Sequence, residues 1–204
     1  MSLFLILTVI AAYMLGAVPF GLLLSRAITK RDPREHGSGN IGATNAMRTG
    51  GKVVGILTLL ADIAKSLIPV SIAVAMELSE LWIGAIAAAS FIGHIFPVYL
   101  KFKGGKGVAT MLGAMLPWQP LATLIGAVIW GILIWRTRYV SLASIAGALA
   151  LPLLVWITGG SQSALIVSIL FASLVTAKHA SNISRLLDGS ESTIGEDRKA
   201  SPDA

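Results

Sequence analysis

Four short strings in this chain combine phosphate-binding side chains with turn-forming glycines. The first is Gly37-Ser38-Gly39-Asn40-Ile41-Gly42-Ala43-Thr44-Asn45, with Arg48 close behind. Its glycines allow left-handed turns that gather backbone N–H groups into an anion nest. Ser38, Asn40, Thr44 and Asn45 add short donors, and Arg48 offers a two-pronged phosphate contact. An equally weighted reading is a turn-rich juxtamembrane loop whose Arg holds lipid headgroups. Walker spacing is missing, because Ala46 stands five residues before Gly51 and Val53 follows Lys52.

The second string runs Gly93-His94-Ile95-Phe96-Pro97, then Lys101-Phe102-Lys103-Gly104-Gly105-Lys106-Gly107-Val108-Ala109-Thr110. Here a glycine-rich turn carrying Lys106 opens into a short apolar segment. A helix starting at Val108 presents unpaired N–H groups and a positive dipole end to an anion. Lys103, Gly104, Gly105 and Gly107 belong to that expected cradle, whereas Lys101 reads as a membrane-surface anchor. His94 and Pro97 read as a structural kink near a span end.

The third string is Arg138-Tyr139-Val140-Ser141-Leu142-Ala143-Ser144. Ser141 is an expected helix N-cap, and Ser144 lies one turn on, placed to share a ligand with Arg138. The fourth is Lys178-His179-Ala180-Ser181-Asn182 with Arg185. His179, Asn182 and Arg185 fall at i, i+3 and i+6 on roughly one helix face, and Lys178 reads as a snorkelling anchor. A neighbouring cation disfavours protonation of His179, which leaves it two roles: base toward a hydroxyl, or orienter of one.

These strings need elements to hold them, and composition says which. The chain has 204 residues, 55% hydrophobic and only 13% charged, with a mean hydropathy of +0.79. Typical globular proteins carry about 25% charged residues. A soluble domain of this size cannot hide so much apolar surface. Cys is absent, which excludes thiol redox chemistry, zinc–thiolate sites and a Cys nucleophile. The class that remains is an all-α polytopic membrane protein.

Spans of about 20 apolar residues are expected at Leu3–Leu24, Val53–Met76, Leu81–Leu100, Leu121–Trp135, Val140–Thr158 and Ala164–Ala177. Val108–Leu116 is apolar but short: a half-helix, a re-entrant segment or a completed span. Fifteen of the sixteen Lys and Arg fall into four loop clusters: Arg26–Lys52, Lys101–Lys106, Arg136–Arg138, and Lys178 with Arg185, Arg198 and Lys199. The intervening connections carry none. The positive-inside rule then gives seven crossings, counting the short one, with the N-terminus outside and the C-terminus cytoplasmic. This topology also accounts for the net charge of +6 without nucleic acid. No basic stretch precedes Leu3, so the first helix is expected to be retained. Residues 1–185 are expected to form the transmembrane domain, and 186–204 a flexible polar tail.

The sixteenth basic residue, Lys65, lies inside a span with Asp62 at i and i+3. Charges in a bilayer are costly and usually paired. We read these two as a structural lock behind the site. No His/carboxylate cluster has metal-ligand spacing, so no metal or cofactor is expected.

Taken together, the strings resemble the bacterial acyl-phosphate:glycerol-3-phosphate acyltransferase family (the PlsY family) along nearly the whole chain. The resemblance rests on GSGNIGATN at 37–45 with Arg48, GHIFPVYLKFKGGKGVAT at 93–110, RYVSLAS at 138–144 and KHASNISRLLDGSE at 178–191. It implies an inner-membrane enzyme with its site facing the cytoplasm, acylating the 1-hydroxyl of glycerol 3-phosphate from acyl phosphate. Lysophosphatidate and phosphate are the implied products, in the first acylation step of phospholipid synthesis. Ser38, Arg48, Lys106, Ser144, His179 and Asn182 are the expected catalytic set. Gly37, Gly39, Asn40, Thr44, Asn45, Lys103, Gly104, Gly105, Gly107, Arg138 and Ser141 are the expected substrate contacts.

The residues themselves agree with this chemistry. Two anionic substrates require several cations beside a lipid-facing groove. Acyl phosphate is already activated, so positioning and charge stabilisation suffice without a nucleophilic triad. The His-x4-Asp pair of thioester-dependent acyltransferases is absent: Ile41, Tyr99 and Ser184 stand five residues after His36, His94 and His179. A phosphorylated-solute transporter is the main rival, since half-helices also point at anions there. The one-sided clustering of polar groups and the lack of internal repeats favour the enzyme. A non-catalytic scaffold leaves Asp62 and Lys65 unexplained. No obligate protein partner is evident.

Overall fold

In a bilayer every backbone polar group must be satisfied within the protein, so apolar stretches fold as helices. The computed structural model describes residues 2–195, and its helices follow that rule. They are α1 (Ser2–Gly16), α2 (Phe20–Thr29), α3 (Ala43–Ala75), α4 (Glu80–Ile95), α5 (Val108–Met115), α6 (Pro120–Thr137), α7 (Val140–Ile157), α8 (Gln162–Lys178) and α9 (Ala180–Leu187).

Five stretches among the described residues are long and apolar enough to cross a membrane: Leu3–Thr29, Ala43–Ala75, Glu80–Leu100, Pro120–Thr137 and Val140–Ile157. α8 and α9, bent by 59° at His179, make a sixth when taken together. The short apolar segment is an eight-residue helix, α5. At 1.5 Å per residue it reaches about 12 Å, less than half of a hydrocarbon core.

Two expected spans are not single rods. The first breaks at Ala17–Pro19 because Pro19 supplies no N–H to continue the ladder. The second begins ten residues earlier than expected, at Ala43, and is interrupted at Gly51 (φ 85°, ψ 175°). That break turns Ala43–Gly50, which carries Arg48, away from the long transmembrane part.

Packing runs from α1 onto α4, from α4 onto α8, and on through α7 to α6. α3 lies against α2, α4 and α5. The core is centred on Phe91 and Phe171, whose rings lie 4.2 Å apart. α5 crosses α3 so closely that a Cβ on Gly113 would lie 2.2 Å from the Ile63 carbonyl oxygen. α5 and α6, by contrast, meet only sparingly. The outer faces carry exposed Leu, Ile, Val and Phe along the long helices, as a lipid-facing surface does.

The expected tail from residue 186 begins inside α9, and residues 188–194 return against the body. There Arg138 Nη2 donates to the Ile194 carbonyl at 2.8 Å, and the Ile194 N–H donates back to Arg138 at 2.9 Å. Arg198, Lys199 and the rest of 196–204 lie outside the described residues.

Candidate active site

One cavity of about 300 Å³ joins the four sequence strings. Ser38, Asn40, Thr44, Asn45 and Arg48 reach it from the first, and Lys106 and Gly107 from the second. Ser141 and Ser144 line it from α7, and His179, Asn182 and Arg185 from the last string. Away from these groups the walls turn apolar, with Ile63 on α3, Met111 and Met115 on α5, and Leu151 on α7.

The first string works as a scaffold more than as a nest. Gly37 (φ 62°) and Gly39 (φ 69°) take the left-handed conformation, but Gly42 (φ −77°) does not. The N–H of Ser38 is bonded to Asn45 Oδ1 (2.9 Å), that of Gly39 to the His36 carbonyl (3.1 Å), and that of Gly42 to Asn40 Oδ1 (2.8 Å). Asn45 Nδ2 donates to the carbonyls of Pro33 (2.7 Å), His36 (3.1 Å) and Asn40 (2.8 Å). The amide expected to hold substrate is therefore committed to shaping the loop. Asp32 braces the same loop, accepting from Arg26 Nη2 (2.6 Å) and Arg34 Nη2 (2.7 Å). Its hydrogen bonds from Arg34 hold the Asp32 carboxyl well below the usual range despite burial.

In the second string, Gly107 (φ 86°) caps α5 and directs its first turn at the cavity. Gly104 and Gly105 are required by close approach: a Cβ would lie 2.1 Å from the His94 carbonyl oxygen and 2.2 Å from His94 Nε2, respectively. The Gly105 N–H donates to the His94 carbonyl at 3.1 Å. Lys106 Nζ donates to Asn182 Oδ1, tying the second string to the fourth. Lys103 lies outside this cavity, in an adjoining polar pocket with Arg34 and Lys178.

On α7 the expected N-cap is displaced. Tyr139 caps the helix, and Ser141 is buried in its first turn facing the cavity. Ser144 Oγ accepts from Trp130 Nε1 of α6 at 3.3 Å. Arg138 does not join Ser144 at a shared ligand. It caps the end of α6 in a left-handed conformation, exposed and bonded to Ile194.

His179 sits at the bend between α8 and α9, with Nδ1 2.8 Å from the Val175 carbonyl. A carbonyl only accepts, so Nδ1 carries the proton and Nε2 is left as an acceptor. Lys178 lies over the Phe96 ring, 4.8 Å from its centroid, which adds a cation–π contact to its expected anchoring role.

Sequence reasoning missed two residues that organise this site. Glu191 lines the cavity, accepting from Asn182 Nδ2 and Arg185 Nε at 2.6 Å each. Burial pushes its carboxyl up, but hydrogen bonds from Asn182 and Arg185 outweigh this and hold it below the ordinary value. The only sequence signal was its place at the end of the fourth string. His94 is the other. Its Nδ1 lies 2.8 Å from Lys65 Nζ, which also meets Asp62 Oδ1 at 2.8 Å and the Val18 carbonyl at 3.1 Å. The expected Asp62–Lys65 pair is thus one part of a buried knot that also satisfies the broken first span, and it stands not behind the site but in its wall, where Asp62 and His94 line the cavity. Among the described residues, no group of three or more His, Asp or Glu is arranged to hold a metal ion.

Residues 6–189 match the family model described as glycerol-3-phosphate acyltransferase. The chain belongs to the glycerol-3-phosphate acyltransferase family. It is accordingly an acyltransferase of phospholipid synthesis and a multi-pass integral membrane protein. The family member from Syntrophotalea carbinolica is 48% identical over 183 residues, covering 89% of this chain and 93% of that protein. One from Geotalea daltonii is 48% identical over 189 residues, covering 93% and 97%. The crystal structure of PlsY (YgiH), an integral membrane glycerol 3-phosphate acyltransferase in its glycerol 3-phosphate form, superposes with a TM-score of 0.88. It is 39% identical, over 94% of this chain and 96% of that one. The lysophosphatidic acid form of PlsY gives a TM-score of 0.85 at 38% identity, over 94% and 95%.

Proposed function

We propose that this acyltransferase moves an acyl chain from acyl phosphate to the 1-hydroxyl of sn-glycerol 3-phosphate. The products are 1-acyl-sn-glycerol 3-phosphate (lysophosphatidate) and inorganic phosphate. The observation that carries the proposal is the composition of one continuous cavity. Arg48, Lys106 and Arg185 stand at its polar part, and Ile63, Met111, Met115 and Leu151 line its apolar part. A substrate with a phosphate at one end and a hydrocarbon chain at the other matches that division.

In the reaction the glycerol hydroxyl oxygen attacks the acyl carbonyl carbon, and the bond from that carbon to the phosphate oxygen breaks. Phosphate leaves with the electron pair. Arg48 and Lys106 hold the phosphate groups, with Ser38 and Ser144 completing the cradle, so their charges oppose the negative charge that builds on the leaving group. His179 Nε2 accepts a hydrogen bond from the attacking hydroxyl and aims it, and the departing phosphate takes the proton. Asn182 couples Lys106 to Glu191 and so keeps both sides of the site in register. Neither metal nor cofactor enters, because the donor is already activated.

The same reading gives seven crossings in a bacterial inner membrane, one of them made by α5 together with the non-helical residues 104–107 and 116–119 that flank it, with the N-terminus outside and the C-terminus in the cytoplasm. Residues 1–185 carry the catalytic helices, and the active site faces the cytoplasm, where both headgroups originate.

Purified protein given hexadecanoyl phosphate and labelled glycerol 3-phosphate tests the proposal. Labelled lysophosphatidate with release of one phosphate per product is expected. Product from an acyl thioester and none from acyl phosphate overturns the donor assignment. Uptake into proteoliposomes without acylation overturns the enzyme in favour of a transporter.

A further inference from the structure

We propose that Gly126 of α6 sets how deep the acyl chain enters the cavity, and so which chain lengths the enzyme prefers. The inference rests on the acyl-phosphate reading above and concerns a residue outside the four strings.

α6 and α7 run antiparallel along the apolar part of the cavity. Trp130 meets Ser144 near the polar groups through the 3.3 Å hydrogen bond, and Thr123 and Leu151 lie at the far end. Leu151 is seven residues beyond Ser144, about 10 Å along the helix axis. Gly126 lies between these levels, because a Cβ on Gly147 would stand 3.8 Å from the Gly126 carbonyl oxygen.

What matters is the space in front of Gly126. A Cβ there would have one heavy atom within 4 Å, Leu154 Cδ1 at 3.6 Å, an ordinary contact. Packing therefore does not demand glycine, unlike Gly113, and its helical backbone does not demand it either. Gly126 lines the cavity, so its missing side chain is a notch in the wall along which the chain must lie.

The cavity is also open at its side. Leu59 on α3 and Ala127 on α6 both line it and are both exposed, and α5 scarcely touches α6. A long chain is thus enclosed for about 10 Å and continues into the bilayer. Lipid is as apolar as the groove, so the enzyme gains little by burying more methylenes. Discrimination must come from shape, and the notch at Gly126 is where shape can be changed without touching the polar groups.

The test compares Gly126→Leu, Gly126→Val and Gly126→Ala with wild type, using butanoyl, octanoyl and hexadecanoyl phosphate in proteoliposomes. Gly131→Leu is the control, because Gly131 is exposed, does not line the cavity, and has nothing within 4 Å of its Cβ position. The ratio of kcat/KM for hexadecanoyl to butanoyl phosphate should fall at least about tenfold in Gly126→Leu, in graded steps from Ala to Val to Leu. The KM for glycerol 3-phosphate should not move, and Gly131→Leu should keep the wild-type ratio. Equal losses for all three chains, or an unmoved ratio in the folded Ala and Val variants, overturn the assignment. If wild type acylates from none of the three phosphates, the donor reading fails instead.

Discussion

Replacing Asp62 by Asn removes one charge from the buried knot in the cavity wall while nearly preserving its shape. Asp62 and Lys65 are 3% and 2% exposed, and their side chains meet at 2.8 Å. Without the carboxylate, Lys65 Nζ keeps the Val18 carbonyl at 3.1 Å and His94 Nδ1 at 2.8 Å, neither of which carries negative charge. Removing one partner of a buried pair costs about 3–5 kcal/mol, because the other is left as an uncompensated charge. At about 2–4 °C per kcal/mol for a protein of this size, Tm should fall by about 6–20 °C. Tryptophan fluorescence during heating of the purified protein in detergent measures this. Asp62→Leu combined with Lys65→Met should melt well above Asp62→Asn alone, since the orphaned charge is then gone. An Asp62→Asn protein melting within about 2 °C of wild type would refute the knot, because that shift corresponds to no more than about 1 kcal/mol.

At the cradle, Lys106→Ala and Arg48→Lys should each lose roughly 10–150-fold in kcat/KM, since each gives up a charge-assisted contact and an ammonium cannot reproduce the guanidinium fork. Wild-type kinetics in either folded variant contradict the assignment. His179→Gln should keep at least about 1% of kcat, because Gln can still accept one hydrogen bond; a loss of about 10³-fold at unchanged glycerol 3-phosphate affinity assigns His179 the base role instead. The Glu191 carboxyl is held low when folded, so its ionised form stabilises the protein above the ordinary glutamate value of about 4.3. That contribution is lost as pH falls through the lower folded value. The Tm gap between wild type and Glu191→Gln should therefore close on acidification; a gap that persists or widens there reverses the sign of the argument. For topology, single Cys probes at Glu35 and Lys101, both exposed, should react with an impermeant reagent only from the cytoplasmic side. Gly37 and Gly104 are unsuitable probe positions, because a Cβ would lie 2.3 Å from Asn45 Oδ1 or 2.1 Å from the His94 carbonyl oxygen. Labelling from outside inverts the orientation.

The apolar stretches and the residues of the four strings were legible because both are one-dimensional signals. A bilayer imposes a length on each hydrophobic run, and phosphate chemistry restricts residue types over a few positions. The Asp62–Lys65 pair was legible too, since three residues on a helix bring two side chains together wherever that helix sits. Partners that meet only through packing were out of reach. Lys65 meets His94 across 29 residues and the Val18 carbonyl across 47. Asn182 links Lys106, 76 residues earlier, to Glu191, which reads in sequence as part of a polar tail. The same limit explains why Arg138 and Asn45 looked like ligands for substrate. Both have suitable donors, but the left-handed cap at Arg138 turns it to Ile194, and the loop around Asn45 occupies its amide. Donor type is a property of the residue. Whether that donor remains available depends on which backbone carbonyls the fold brings within about 3 Å of it, and only tertiary structure decides that.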